Sequence, residues 1–301
     1  MLESPLNKDL TIAAKQEPKI ALKAARKLAL EVALEVANET AEIILAEYKK
    51  FVAIENAPSS ITTHVDHLAQ ENLLKRISAY FPNDGYCAEE KTPTLALLTE
   101  ERKKRAETPK RIWIIDPIDG TRGFATKNDQ FSIMIGLFED NKIVLGVVVE
   151  PVRMRRTFAI SEEGCWKQDG SEPPTRCSVS QVKSLKEATL VQSLSKTPFE
   201  TPIAKLIQPK KTIGTHSAGI KLALVARGEA DIYVNNYQRF YDWDISAGHC
   251  LVIEAGGIAT ELSGKELQYQ KEDFSQIGGI FATNPELHPQ AKSAIQSLLW
   301  T

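Results

Sequence analysis

The sequence predicts a mixed α/β protein built from two parts. Residues 1–170 hold long helical stretches followed by a predicted hairpin of strands, which is typical of an α+β domain. Residues 171–301 alternate short β-like runs with apolar helical patterns, which is typical of an α/β domain. A polar, proline-containing segment from Gly170 to Ser180 lies between them, so we place the domain boundary there.

Two helices are predicted near the start of the first part. From Lys19 to about Phe51 the chain is rich in Ala, Leu, Glu and Lys, which predicts one long helix or a helix pair. Asp66 is well placed to cap a following helix that carries Leu73 and Ile77 on an apolar face.

Short apolar runs in the first part predict strands. Tyr86-Cys87-Ala88 forms one strand, and the acidic pair Glu89 and Glu90 follows it. A second strand over residues 112–115 leads to Asp116, and we expect Pro117 to end it. Further strands are predicted at residues 131–138, 143–149 and 158–160.

The second part gives a regular alternation. Its predicted strands cover residues 188–192, 230–234 and 279–282, and residues 256–260 are predicted to form a turn that leads into a further strand. Its predicted helices cover residues 217–227, 244–255 and 285–299.

Composition excludes several classes of function. The 37 basic and 39 acidic residues leave a net charge of -2, which argues against a broad nucleic-acid-binding face. The four cysteines form no C-x-x-C pair, which favours reduced, structural thiols. No apolar run reaches the ~18–20 residues that span a bilayer. We therefore expect a soluble, cytoplasmic protein that contacts neither a membrane nor a nucleic acid polymer.

The segment from Asp116 to Thr121 carries the strongest chemical signal. Two carboxylates, Asp116 and Asp119, are followed at once by Gly120 and Thr121, whose amides suit a phosphate group. Carboxylates repel phosphate unless a hard cation lies between them, so the segment predicts Mg2+ together with a phosphate.

The other candidate acids also allow simpler interpretations. Asp66 and Asp244 stand where ordinary helix caps stand, and Glu89 and Glu90 fit surface charges after a strand. Taken one at a time, these residues do not indicate a site.

Three separated motifs together resemble one family. WIIDPIDGTRGF, the upstream AEEKT and the downstream YDWDISAGHCLVIEAGG resemble the inositol-monophosphatase superfamily of Mg2+-dependent, lithium-sensitive phosphatases. The resemblance implies a layered αβαβα sandwich of the sugar-phosphatase type, with the site in a cleft between the two parts.

The resemblance also implies a role for each candidate residue. Thr121 would position the attacking water with Asp66 as its basic partner, and Glu90 would hold a ligand or water in place. The amides of Gly120 and Thr121 would cradle the phosphate. Two or three Mg2+ ions would be bound by Glu89, Asp116, the carbonyl of Ile118, Asp119 and Asp244.

Within the superfamily, three features favour the 3'(2'),5'-bisphosphate nucleotidases. The segment RGFATKNDQFSIMIGL after the core motif resembles theirs. Lys221 stands where they tend to carry a lysine, which would contact a second phosphate of the substrate, and a solvated helix residue is the simpler interpretation. Residues 234–241 contain no carboxylate, and Arg239 and Tyr237 suit a phosphate and a purine ring better than a polyol. We place His216 and Ser217 among the substrate contacts, with His216 as a structural or base-edge contact.

The predicted reaction is hydrolysis of the 3'-phosphate of adenosine 3',5'-bisphosphate to AMP and phosphate. An inositol or other sugar phosphate is the alternative substrate. A catalytically idle Mg2+- or nucleotide-binding regulator is the alternative from another class. The expected partner is a small phosphorylated molecule, and the protein is expected to be a monomer or a dimer.

Overall fold

The computed structural model describes residues 5–105, 109–237, 240–270 and 273–296, with side chains described from Lys19 onward. Eight α-helices lie within these ranges: α1 Pro5–Lys50, α2 His64–Tyr80, α3 Pro93–Arg105, α4 Thr121–Ala125, α5 Pro202–Ile207, α6 Ala218–Ala226, α7 Asp242–Glu254 and α8 His288–Ala294. None of the described helices is apolar enough over sufficient length to cross a membrane.

Twelve strands in the same ranges form two sheets. The first sheet contains β1 Gly85–Ala88, β2 Arg111–Asp119, β3 Ser132–Glu139, β4 Lys142–Glu150, β5 Arg155–Ile160, β6 Gly164–Asp169 and β7 Thr175–Arg176, in that order across the sheet. The second sheet contains β8 Thr189–Gln192, β9 Lys211–Gly214, β10 Ile232–Asn235, β11 Ile258–Thr260 and β12 Ile280–Thr283, in the order β11-β12-β10-β8-β9.

Strand direction differs between the sheets. In the first sheet only β1 and β2 are parallel, and every later pair is antiparallel. The predicted hairpin joins β3 to β4 through Asp140 and Asn141, which both have positive φ (49° and 63°) as a tight hairpin turn requires. In the second sheet β8, β9 and β10 are parallel, so their carboxyl ends lie along one edge.

Three apolar clusters define five layers. The first holds α1 and α2 against one face of the first sheet, with Val36, Leu73 and Trp113 at its centre. The second fills the space between the two sheets with α6 and α7, and includes Leu251. The third packs α5 and α8 on the outer face of the second sheet around Phe281. This order confirms the predicted αβαβα sandwich.

β2 does not stop at Pro117, so that prediction is wrong. The strand continues to Asp119, and its register against β3 shifts by one residue between Asp116 and Asp119. Such a bulge tolerates proline because the extra residue makes no ladder hydrogen bond.

Other differences are local. Thr63 is the N-cap of α2, and Asp66 lies at the third helical position, where its carboxylate accepts from the Thr63 amide. The sequence interpretation missed α5, β6, β7 and β9, and α8 is shorter than predicted, although residues 297–301 lie outside the described ranges. The domain boundary near Gly170 stays a prediction; β7, which follows it, pairs with β6 of the first sheet.

We expect Leu73→Ala to lower the free energy of unfolding by about 2–5 kcal/mol, because Leu73 is fully buried between α2 and the first sheet. Leu97→Ala is the matched control on α3, where the side chain is 59% exposed, and should change stability by less than about 0.5 kcal/mol. Urea unfolding measures both, and equal losses would contradict the assigned core.

Candidate active site

Three carboxylates, two from β2 and one from α7, lie close together. Asp116, Asp119 and Asp244 each offer an oxygen within 4.8 Å of the others. Residues three apart on a regular strand point to opposite faces of the sheet. The extra residue in the β2 bulge turns Asp119 to the face that Asp116 already occupies, which is the face covered by α6 and α7.

Asp119 is held by the start of α6. Its Oδ2 accepts from the Gly219 amide (2.6 Å) and from the Ser217 hydroxyl, and its Oδ1 accepts from the Ala218 amide (3.1 Å). Ser132 on β3 bonds to the same Ser217 hydroxyl at 2.9 Å. Burial raises the pKa of Asp119, and these donors offset part of that rise.

Asp244 lies in the first turn of α7, where its Oδ2 accepts from the Tyr241 amide at 2.6 Å. α7 sits close to β4 because Gly146 has no side chain: an added Cβ would lie 2.3 Å from the Ala247 carbonyl oxygen. Desolvation, followed by the nearby Asp119, raises the pKa of Asp244 to about 8. The ionised carboxylate is therefore costly without a cation.

Glu89 follows β1 and is anchored by its amide, which donates to the Ile115 carbonyl at 3.2 Å. Its Oε2 is buried and has no hydrogen-bond partner. Burial and the neighbouring carboxylates of Asp244 and Glu90 raise the pKa of Glu89 well above its usual value. Burial and Glu89 do the same for Asp116.

These observations test whether the residues suit a divalent metal. All of the converging donors are carboxylate oxygens, which Mg2+ and other hard cations prefer. One buried oxygen, Oε2 of Glu89, lacks any donor, and buried polar atoms without partners are rare in folded proteins. The acidic cluster could therefore hold a metal ion.

Thr121 and Asp66 form a pair beside this cluster. The Thr121 Oγ1 lies 3.0 Å from Asp66 Oδ1 and also 3.0 Å from the Ile118 carbonyl oxygen. The other oxygen of Asp66 accepts from the amide (2.8 Å) and the hydroxyl (2.6 Å) of Thr63. Burial raises the pKa of Asp66, although these hydrogen bonds oppose the rise.

The side chain of Glu90 contacts the start of α2 and the loop before it. Its Oε1 accepts from the Thr62 hydroxyl at 3.1 Å, and its Oε2 lies 3.6 Å from Nε2 of His67. Its backbone amide donates to the side chain of Gln70 at 2.8 Å. Its predicted role of holding a ligand or water stays a prediction.

Lys221 is neither a solvated helix residue nor an open phosphate contact. Its side chain is 3% exposed, and its Nζ donates to the His216 carbonyl at 3.3 Å and lies over the Tyr233 ring at 5.6 Å. Burial lowers the pKa of Lys221 to about 8, and the charges of Asp119 and Asp244 oppose that shift. Lys221 is therefore an internal cation beside the acidic cluster.

The remaining predicted substrate contacts differ in their packing and in their exposure to solvent. Gly120 has φ of 86°, and an added Cβ would meet the Gln130 carbonyl oxygen at 2.8 Å, so glycine is required by packing. Ser217 is fully buried as the N-cap of α6, which leaves no surface for the predicted contact with substrate. His216 is partly exposed, and Arg239 lies outside the described residues.

Two residues that hold the site were missed from the sequence. Ser132 opens β3 and bonds to the Ser217 hydroxyl, and Gln70 lies four residues after Asp66 on the buried face of α2. For Gln70 the available signal was a polar residue at a position where the helical pattern requires an apolar one.

Comparison with known proteins places this architecture in a family. Residues 25–299 match the inositol monophosphatase family. The chain is 33% identical over 196 residues to a 3'(2'),5'-bisphosphate nucleotidase of Salmonella typhimurium, covering 62% of this chain and 75% of that protein. It is 32% identical over 225 residues to a fructose-1,6-bisphosphatase/inositol-1-monophosphatase of Thermotoga maritima, covering 73% and 78%.

A probable 3'(2'),5'-bisphosphate nucleotidase of Arabidopsis thaliana is 32% identical over 203 residues, and this match spans 58% of that longer protein. Among solved structures, an extragenic suppressor protein suhB of Bartonella henselae superimposes with a TM-score of 0.72 over 89% of this chain and 98% of its own, at 21% identity. The Thermotoga maritima IMPase does so with a TM-score of 0.71 at 26% identity, over 90% and 98% of the two chains. The chain belongs to the inositol monophosphatase family of metal-dependent phosphatases.

Proposed function

We propose that this protein is a Mg2+-dependent phosphomonoesterase that hydrolyses the 3'-phosphate of adenosine 3',5'-bisphosphate to AMP and phosphate. The observation that carries the proposal is the convergence of Asp116, Asp119 and Asp244 within 4.8 Å, beside the unpartnered oxygen of Glu89. A hydroxyl–carboxylate pair, Thr121 and Asp66, adjoins the same carboxylates.

The residues proposed to hold Mg2+ are Glu89, Asp116, Asp119, Asp244 and the carbonyl of Ile118. When bound, Mg2+ would neutralise the phosphate oxygens and lower the pKa of the attacking water. Asp119 can offer only part of its coordination capacity, because its Oδ2 already accepts from Ser217 and Gly219. Burial and neighbouring carboxylates raise the pKa values of Asp116 and Glu89 well above the usual range, so ionisation of these two acids would gain most from a bound cation.

Proton transfer is assigned to Thr121 and Asp66. The Thr121 hydroxyl has a single proton, and when it donates to Asp66 its oxygen is free to accept a hydrogen bond from water. The raised pKa of Asp66 makes it a stronger base than an ordinary aspartate. Thr63 keeps the Asp66 carboxylate oriented through two hydrogen bonds to its other oxygen.

Several features support a nucleotide as the substrate. The nucleotidases of Salmonella typhimurium and Arabidopsis thaliana are among the similar proteins. The loops after β8, β9 and β10 lie along one edge of the second sheet, where α/β folds bind ligands. One of these loops carries Tyr237, which is 63% exposed and can stack on a base. Another carries the partly exposed His216.

An inositol or sugar phosphate is the second candidate. The similar Thermotoga maritima protein is named a fructose-1,6-bisphosphatase/inositol-1-monophosphatase, at an identity close to that of the nucleotidases. A catalytically idle regulator is disfavoured, since each acid that the reaction needs is present together with Thr121.

Phosphate release tests the reaction and the substrate together. We expect the purified protein with Mg2+ to release phosphate faster from adenosine 3',5'-bisphosphate than from inositol 1-phosphate. Asp116→Asn should release none while remaining folded, because removing one charge relieves repulsion within the cluster. A preference for inositol 1-phosphate would support the second candidate, and no release from either would support the regulator.

Thr121→Val keeps the side-chain volume but removes the hydroxyl, so we expect kcat to fall by about 10²–10⁴-fold, the usual contribution of a positioned proton acceptor. Thr121→Ser should recover most of the lost rate. The Mg2+-induced rise in melting temperature should be unchanged in Thr121→Val. Equal rates for the Val and Ser variants would refute the assigned proton path.

The pH dependence of stability follows from Asp244. Its pKa is about 8 in the folded protein against 3.8 ordinarily, so the folded state binds the extra proton between these values. Stability of the metal-free protein should therefore fall as pH rises from about 4 to about 8. Asp244→Asn should flatten this decline in urea unfolding with EDTA present, and saturating Mg2+ should reduce it in the wild type. Identical slopes for the two proteins in EDTA would contradict the shifted pKa.

A further inference from the structure

One face of α2 carries a buried polar stripe beneath the candidate site. Thr63 caps the helix, Asp66 follows one turn later, and Gln70 lies one turn beyond Asp66. Asp66 and Gln70 are fully buried, in a helix whose other buried positions from Leu73 onward are apolar. Asp66 reaches Thr121, as described above, but the proposed reaction gives Gln70 no task.

Gln70 is bound to the backbone of the loop that carries the acidic pair. Its Oε1 accepts from the Glu90 amide at 2.8 Å, and its Nε2 donates to the Glu90 carbonyl at 2.5 Å. The same nitrogen donates to the Thr92 hydroxyl at 3.1 Å. The side-chain amide thus pairs with Glu90 as the backbone of a neighbouring strand would.

The segment after β1 is therefore fixed from two sides. The Glu89 amide donates to Ile115 of β2, and the next residue, Glu90, is paired with Gln70 of α2. The side chain of Glu89 adjoins the Asp116 carboxylate, but its buried Oε2 has no hydrogen-bond partner. The backbone hydrogen bonds of Glu89 and Glu90 therefore contribute to its position next to Asp116 and Asp244.

We propose that Gln70 is a positioning residue that sets the affinity of the site for its metal ion by fixing the backbone that carries Glu89. The inference rests on the proposed function only in taking Glu89 as a metal ligand. Since Asp66 and Gln70 share one helical face, α2 orients the proton acceptor and the first ligand as a rigid unit. Residues that hold a metal ligand in place typically change metal affinity by about 10–100-fold when replaced.

The principal test is Gln70→Met, which keeps the side-chain volume and removes both hydrogen bonds to Glu90. We expect the Mg2+ concentration that gives half of the maximal rise in melting temperature, measured without substrate, to increase by about 10–100-fold. The Mg2+ concentration for half-maximal phosphate release should increase by a similar factor, while kcat at saturating Mg2+ should change far less.

Gln192→Met is the matched control. Gln192 is 4% exposed at the end of β8, donates to the Pro198 carbonyl (2.6 Å) and accepts from the Thr201 hydroxyl (2.7 Å). Its replacement removes two side-chain amide hydrogen bonds from another buried site, against three at Gln70. It should lower the melting temperature without changing Mg2+ affinity.

Thr92→Val provides a milder change if Gln70→Met does not fold, because it removes only the third partner of the Gln70 amide. It should weaken Mg2+ binding in the same direction by a smaller factor. Wild-type Mg2+ affinity in the folded Gln70 variant, or in Thr92→Val when the Gln70 variant does not fold, would overturn the inference. Absence of Mg2+ binding by the wild type would overturn it too. Normal Mg2+ binding without phosphate release by the wild type would refute the proposed function alone.

Discussion

The structure depends on one electrostatic constraint, which is that several carboxylates of like charge are buried close together. Moving one carboxylate out of water costs several kcal/mol, and each further carboxylate nearby adds repulsion. Hydrogen-bond donors and an ammonium group of the protein offset part of this cost. The start of α6 donates to Asp119, the start of α7 donates to Asp244, and the Lys221 ammonium lies close to both. Asp116 and Glu89 receive much less stabilisation from the protein, and a bound cation would supply the missing positive charge.

The arrangement of helices follows from the same constraint. Two helix amino termini point at one cluster, and each brings partial positive charge where negative charge is concentrated. α7 approaches the first sheet closely at Gly146, and α6 does so at Gly219, which lies against Met134. Gly248 of α7 allows close packing against Leu222 of α6. The helices of the middle layer, α6 and α7, therefore fill the space between the sheets and also stabilise the negative charge of the cluster.

Much of this organisation was predictable from local pattern. Apolar runs placed β1 to β4, and the long Ala- and Leu-rich stretch placed α1. The bulge in β2 was not predictable, because residue periodicity alone puts Asp116 and Asp119 on opposite faces of a strand. The hydrogen-bond partners of Ser217 and Gln70 could not be predicted from the sequence for a related reason. A buried polar residue has meaning only beside the group that satisfies it, and those groups lie far away along the chain. The burial of Lys221 was not predictable, because its position in a helix does not reveal that Tyr233 of β10 lies against it.

The long separation between Asp119 and its donors has a consequence for how the protein is made. The groups that bind its carboxylate come from residues 98 to 100 positions later in the chain. Contacts of such long range form slowly, since a large loop must close before any of them is gained. A growing chain on the ribosome has its first sheet synthesised well before α6 and α7 exist to cover it. During that interval Asp119 lacks the donors at the start of α6. The carboxylate cluster is therefore completed only after α7 has been synthesised.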